Sequence, residues 1–330
     1  MKVAVVGATG LVGKKMIQIL EERNFPVDFL IPVASESKGK RTISFRGESY
    51  PVRTVNEALE LKPDIALFSA GSELSLQIAP MFSSIGTVVI DNSSAWRMDP
   101  GKKLIIPEIN EDVLTQNDKI IANPNCSTIQ MLMVIAPLHK AFNIHRIVIS
   151  TYQSVSGSGI KAINQLNSER NGKMEDKFYP HQIDKNCLPQ IDIFEENGYT
   201  KEEIKIVNES KKILDDPSLN ITATAVRVPV MGGHSESVNL EFTKSFDLEE
   251  VYSILRNAPG ILVVDDPKNK KYPMPIDAEG RDEVLVGRIR IDESREKCLN
   301  LWIVADNLRK GAATNSIQIA ESLVKKGLVK

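Results

Sequence analysis

The chain has 330 residues, 42% hydrophobic and 25% charged, with a formal net charge of −2. That length and composition give about two globular domains, and near-neutral charge, few aromatics and short basic runs (Lys268 to Lys271 is the densest) exclude a nucleic-acid partner. Cys126, Cys187 and Cys298 are too few and too scattered for a disulfide framework; no metal-ligand spacing appears, and no apolar run approaches the ~20 residues of a membrane span. With no signal-peptide pattern ahead of the first strand, a reducing cytoplasmic compartment is expected.

The first element is a short apolar strand, Lys2 to Val6. It runs into Gly7-Ala-Thr-Gly10-Leu-Val-Gly13 and then a helix from Lys14 to Glu22, with Met16, Ile17 and Leu20 at helical spacing. Strand, glycine turn and helix are the context of a dinucleotide-binding loop. Gly7 permits the sharp turn, Gly10 a close pyrophosphate approach and Gly13 tight packing of helix on strand. The spacing is G-x-x-G-x-x-G, not G-x-G-x-x-G, and a glycine-rich crossover of another α/β protein is the alternative. Strands follow at Asp28 to Ala34, Ile65 to Ser69 and Thr87 to Ile90. A helix starts at a Thr54/Glu57 capping box, and another spans Glu73 to Phe82. This rhythm predicts a doubly wound parallel sheet with ligands at the carboxyl ends of its strands.

The segment Ile120 to Thr128 sets Cys126 after an apolar run and an Asn-Pro-Asn turn, ahead of a helix over Thr128 to Leu138. A thiol at a helix start faces unpaired N–H groups and the positive end of the dipole, which favour thiolate and can hold an oxyanion. The alternative is a small buried residue in a strand-to-helix turn. Beyond it the rhythm changes. Arg146 to Gln153 reads as a strand, Ile160 to Ser168 as a helix, and Glu169 to Asn186 as a polar loop with His181. Lys201 to Leu214 is a charged helix, Thr222 to Val230 and Val238 to Thr243 alternate like antiparallel strands, and Leu299 to Ala305 is a further strand. Ala312 to Leu328 carries an apolar stripe and closes the chain as a helix packed on the first domain. His139 and His145 read as ordinary surface residues.

Seven motifs together resemble the aspartate-β-semialdehyde dehydrogenases over nearly the full length: Gly7–Gly13, Asn92–Met98, Asn123–Thr128, Thr151–Gly157, Asn208–Ile213, Val226–Pro229 through Gly233–Glu236, and Ala305–Ala313. The resemblance implies reversible, NADPH-dependent reductive dephosphorylation of β-aspartyl phosphate, supplying the semialdehyde for lysine, methionine and threonine synthesis. It implies a Rossmann-like dinucleotide-binding domain over residues 1–124 plus about 308–330. The remainder, 125–307, would be an α+β catalytic and dimerisation domain with a largely antiparallel sheet, in a homodimer or homotetramer that uses inorganic phosphate and no metal.

Residue by residue, Cys126 matches the nucleophile, His234 the acid/base and Gln153 the amide that orients the thioester. Arg227 matches the carboxylate-binding fork, Glu209 the group that receives the substrate ammonium, and Lys212 and Arg97 the phosphate-binding cations, with Asn125 beside the nucleophile. Cofactor contacts fall on Gly7, Thr9, Gly10, Leu11, Val12, Gly13, Ser37, Ser156, Gly157 and Asn307. One departure concerns the loop after the second strand, Ala34-Ser-Glu-Ser-Lys-Gly-Lys40, where Glu36 replaces the arginine that commonly meets the 2′-phosphate. Ser37, Lys38 and Lys40 favour NADP, and Glu36 leaves NAD as the alternative. N-acetyl-γ-glutamyl-phosphate reductase, whose loop reads Asn-Pro-Gly-Cys-Tyr, and a silent Rossmann-like scaffold are the rival readings.

Overall fold

The computed structural model describes residues 1–35, 41–173 and 177–329. Two compact units emerge, one of residues 1–125 and 312–330, the other of residues 126–311.

Strands of the first unit are β1 (Lys2–Val6), β2 (Phe29–Val33), β3 (Thr42–Phe45), β4 (Glu48–Pro51), β5 (Ile65–Phe68), β6 (Val88–Asp91), β7 (Lys103–Leu104) and β8 (Ile120–Ala122). Six of them form a sheet in the order β2-β1-β5-β6-β8-β7, every pair parallel. Alternation sends Val3 and Val5 to one face, against Met16, Ile17 and Leu20 of α1 (Leu11–Glu22) and Ile317 and Ala320 of the closing helix Thr314–Lys325. Ala4 and Val6 face the other way, onto Ala58 of α2 (Val55–Glu60) and Ile78 and Phe82 of α3 (Ser72–Ser84). A parallel sheet buried on both faces needs such unbroken apolar strands, which is the doubly wound pattern the sequence predicts. The Thr54/Glu57 capping box is formed, and a short helix, α4 (Pro107–Asn110), lies between β7 and β8.

The β3–β4 hairpin escapes the helix-and-strand rhythm of the sequence reading. Its two-residue turn, Arg46-Gly47, has φ of 50° and 78°, and that left-handed pair is what joins two right-twisted strands.

The second unit begins with α5 (Cys126–Phe142), whose residues Ser127 to Ile135 are all buried. Its strands are β9 (Ile144–Gln153), β10 (Asn220–Arg227), β11 (His234–Phe242), β12 (Ile261–Val263), β13 (Val284–Ile291) and β14 (Cys298–Ala305), in the order β10-β9-β11-β14-β13-β12. The inner pairs are antiparallel and both edge pairs parallel. The strand expected from Thr222 is therefore parallel to its neighbour β9. The chain returns to it through α6 (Ile160–Arg170) and α7 (Lys201–Ile213), and a crossover of that length delivers a parallel strand. α5 packs against β9, β11, β13 and β14, and α7 against α5 and β10. His139 is half-buried, its Nδ1 accepting the Ile144 N–H at 3.1 Å, so it ties the end of α5 to the start of β9 and is not an ordinary surface residue.

A Cβ on Gly13 would lie 2.2 Å from the Gly7 carbonyl oxygen and 2.8 Å from its carbon, both rigid backbone. Gly13→Ala should cost about 1–3 kcal/mol of stability, read as a lowered thermal midpoint. An unchanged midpoint would mean that helix and strand separate more easily than this packing implies.

Candidate active site

In the first unit the chemistry gathers at the carboxyl ends of the parallel strands. β1 lies where the order reverses, with β2 on one side and β5 on the other, so the crevice opens at Gly7. Gly7 has φ of 84°, and a Cβ there would meet the Ser69 carbonyl oxygen at 2.8 Å. The Gly10 N–H closes the turn onto the Gly7 carbonyl at 2.9 Å. Gly10 then precedes α1 with no side-chain cap, and Thr9, Leu11 and Val12 are partly exposed around it. Bare helix N–H groups beside a loop that only glycine can form suit a pyrophosphate. Ser37 lies outside the described residues, as do Glu36, Lys38 and Lys40.

After β6 and β8 two asparagine loops are tied to an arginine. Buried Arg97 donates from Nε to the Asn123 carbonyl (2.9 Å) and from Nη2 to that of Asn92 (2.7 Å). Asn123 in turn donates to Asn92 Oδ1 at 2.8 Å and accepts from Asn315 at 2.7 Å. The turn leading to buried Asn125 is thereby braced from three directions, and part of Arg97's donor capacity is committed to that bracing.

In the second unit Cys126 is the first residue of α5 and is half-exposed. A Cβ on Gly311 would sit 2.9 Å from the Cys126 Cβ, so a backbone without side chain lies against this cysteine. His234, the first residue of β11, is fully buried. Its Nδ1 accepts the Ser154 backbone N–H at 3.1 Å, and the Ser154 hydroxyl lies equally close. A backbone N–H can only donate, so in this arrangement the ring proton belongs on Nε2. That Nε2 is buried with no hydrogen-bond partner. Burial first, and then the Arg227 guanidinium, push the imidazole down to about 3, against a smaller opposing contribution from the Gly233 backbone.

Arg227, at the end of β10, donates from Nη1 to the Ser154 carbonyl at 2.5 Å. Its Nε is buried without a partner, and the residue borders a cavity of about 330 Å3 shared with Ser158, Tyr179 and His181. Gly157 lies over both groups: a Cβ there would be 3.0 Å from His234 Nε2 and 3.1 Å from Arg227 Nη1. Buried Gln153 gives its amide hydrogens to Glu202 (3.1 Å) and Thr151 (3.2 Å). Glu209 is buried on α7, and Lys212, one turn on, is half-buried.

The comparisons with known proteins bear on this arrangement. Residues 2–117 match the NAD binding domain of semialdehyde dehydrogenase, and residues 135–310 its dimerisation domain. An aspartate-semialdehyde dehydrogenase of Aquifex aeolicus is 53% identical over 99% of both chains. The chain belongs to the aspartate-semialdehyde dehydrogenase family. A solved aspartate semialdehyde dehydrogenase II of Vibrio cholerae, complexed with ASA, superposes with a TM-score of 0.94 at 47% identity over 98% of each chain. The Candida albicans enzyme with NADP, at 23% identity over 99% of each chain and a TM-score of 0.79, shares the fold.

Several side chains to which the motifs assign no part in this cluster hold it together. Ser154 contacts both His234 and Arg227. Glu202 holds Gln153 and pairs with Lys205 at 3.4 Å, although on sequence it belongs to an exposed helix face. Asn307, expected at the cofactor, is 2% exposed, and its Oδ1 accepts from Ser154 Oγ, Ser156 Oγ and the Gly233 N–H at 3.2, 3.1 and 3.0 Å. Ser156 is likewise turned inward, whereas Gly157 is exposed. Alternating hydrophobicity carries no trace of the contacts that Ser154 and Asn307 make with His234, Arg227, Gly233 and each other, because they join residues some 70 to 150 positions apart. Among the described residues there is no metal-ligating cluster and no helix long and apolar enough to cross a membrane.

Gly157→Ala should lower turnover by about tenfold while leaving the fold intact, since His234 and Arg227 must each give way by a few tenths of an ångström, less than the full 1 Å misplacement that costs roughly 100-fold. Normal turnover would place the reacting groups away from Gly157. The neutral ring makes a second expectation. Unfolded histidine binds a proton below about 6.5 and His234 does not, so stability falls as pH drops from that value toward 3. Denaturant midpoints of His234→Asn should show a flatter acid slope than the wild type; parallel slopes would mean that His234 charges within the fold.

Proposed function

We propose that the chain interconverts L-aspartate-β-semialdehyde plus phosphate and L-β-aspartyl phosphate through a thioester on Cys126, with NADP as the redox partner. The observation that carries this reading is the fully buried His234, one ring nitrogen engaged by Ser154 and the other open beside Arg227 and Gly157. In the oxidative direction the Cys126 thiolate attacks the aldehyde carbon. A C–S bond forms and the carbonyl electron pair moves to oxygen, where the first N–H groups of α5 and His234 Nε2–H can donate to it. A neutral Nε2–H is a donor, so in this tautomer His234 stabilises that oxyanion, alongside the acid/base part that the sequence assigns to it. The dinucleotide supplies the hydride acceptor in this direction and the donor in reverse. A phosphate oxygen then attacks the thioester carbonyl, the C–S bond breaks and the thiolate leaves.

Arg227 is assigned to the substrate carboxylate, a role supported by its unpartnered Nε. Glu209 is assigned to the ammonium and Lys212 to phosphate, their spacing putting them one turn apart on α7. Gln153 is proposed to orient the thioester from its braced position. NADP in preference to NAD rests on Ser37, Lys38 and Lys40. Self-association as a homodimer or tetramer is part of the same reading, supported by the dimerisation-domain match, and so is a cytoplasmic setting.

Initial-rate reduction of NADP and NAD by L-aspartate-β-semialdehyde, with and without phosphate, tests the reaction. Phosphate-dependent turnover that disappears in Cys126→Ala is expected; turnover only with the N-acetyl-γ-glutamyl substrate would overturn the assignment. Arg227→Lys keeps charge and loses the fork, so the semialdehyde KM should rise at least tenfold with a smaller change in kcat. An unaltered KM would remove Arg227 from the carboxylate.

A further inference from the structure

Beneath Cys126 and His234 lies a carboxyl group that the reaction above does not use. Glu236 follows His234 by two residues on β11, so both side chains face α5. It is fully buried, and neither carboxylate oxygen has a hydrogen bond of ordinary geometry. Opposite it stand Thr151 on β9 and Ile303 on β14, and from α5 comes Gln130, none of which titrates; His234, on its own strand, is neutral. Gln130 stands four residues after Cys126, on the same face of α5 and one turn further in. Its Nε2 donates to the His234 carbonyl at 3.4 Å, while its Oε1 is buried with no partner.

An ionised carboxylate in that position would be an uncompensated buried charge beside an unsatisfied amide oxygen, two costs that add. A single proton removes both. We propose that Glu236 is a neutral carboxylic acid whose O–H donates to Gln130 Oε1, and that this bond positions the nucleophile-bearing helix against the strand that begins with His234. The chain of contacts runs from the Glu236 O–H to Gln130 Oε1, and from Gln130 Nε2 to the His234 carbonyl. It ties α5, whose first residue is Cys126, to the first residue of β11. Desolvation acts in the same sense, pushing the Glu236 carboxyl well above the usual range, with the Gln130 side chain as the one opposing influence. Glu236 touches no reacting atom in this scheme and is a positioning residue. Its catalytic consequence rests on the reaction proposed above, whereas its protonation does not.

The experiment has two arms. Thermal midpoints of wild type, Glu236→Gln and Glu236→Ala are measured from pH 5 to 8. An acid that stays protonated when folded and ionises when unfolded loses stability as pH rises above about 4.5. The midpoint of Glu236→Gln, which cannot ionise, should therefore gain on the wild type steadily across that range. A constant difference overturns the neutral acid whatever the enzyme's substrate. In the second arm Glu236→Ala should lower kcat about tenfold at unchanged semialdehyde KM, and Glu236→Gln, which keeps a donor for Gln130, should restore most of it. Equal kcat in Glu236→Ala and wild type overturns the positioning role. If Glu236→Ala does not fold, Gln130→Leu replaces it in this arm: the same kcat loss, with the wild-type pH slope of stability retained, is expected. Undiminished kcat in that variant overturns the link through Gln130.

Discussion

The backbone of one residue, Ser154, holds the chemistry of the second unit together. Its N–H is spent on His234 Nδ1 and its carbonyl on Arg227 Nη1, so a single peptide segment fixes both the tautomer of the imidazole and the direction of the guanidinium. Neither contact would exist in another sheet register. Ser154 follows the last residue of β9, and β9 is the strand shared by β10, which ends at Arg227, and β11, which starts at His234. Slipping either pairing by one residue would turn every side chain to the opposite face and dissolve the cluster. Sheet topology is thus a direct determinant of which nitrogen of His234 carries a proton.

Burial gives that arrangement its chemical character. A histidine in water titrates near neutrality; enclosed beside a guanidinium, this one is pushed down to about 3, and its neutral ring turns an Nε2–H away from Ser154. A neutral donor aimed where negative charge develops suits acyl chemistry, because it binds the oxyanion more strongly than the parent carbonyl. The cost is a set of buried polar groups that must satisfy one another. Asn307 does much of this with one carbonyl oxygen, which takes hydrogen bonds from Ser154, Ser156 and Gly233 and so pins the segments on either side of the imidazole. Removing such an acceptor would strand several buried donors at once, a larger loss than any single bond.

The elements that follow local rules are legible in the sequence. Apolar runs of four or five residues become the buried parallel strands, Gly7 and Gly13 stand where backbone meets backbone, and the Thr54/Glu57 box caps its helix. An element that answers to distant partners is not legible in this way. Alternation in Thr222 to Val230 says that one face is buried but not which neighbour lies alongside, and the crossover through α6 and α7 decides for a parallel pair. The Arg46-Gly47 turn was legible in principle, but its flanking strands are short and polar. In the site, motif resemblance supplied residue identities, yet it could not supply the partners. Ser154, Glu202 and Gln130 carry no functional signature in type or spacing, and their part follows from burial beside groups that need a donor or an acceptor.

The chain passes between its two units at 125/126 and again at 311/312, and the residues on the second-unit side of these crossings, Cys126 and Gly311, lie against each other. The thiol proposed as nucleophile therefore sits at the place of its unit to which both connections are anchored. That placement has a structural reason: α5 is buried from Ser127 to Ile135, so its first residue is backed directly by the core. It has a chemical reason too. A thiol that must react with a bound substrate cannot ride on a loop without losing alignment, and rigid support close to the reacting atom is what converts binding into rate. Gly311 adds to this support, since any side chain there would press on the Cys126 Cβ.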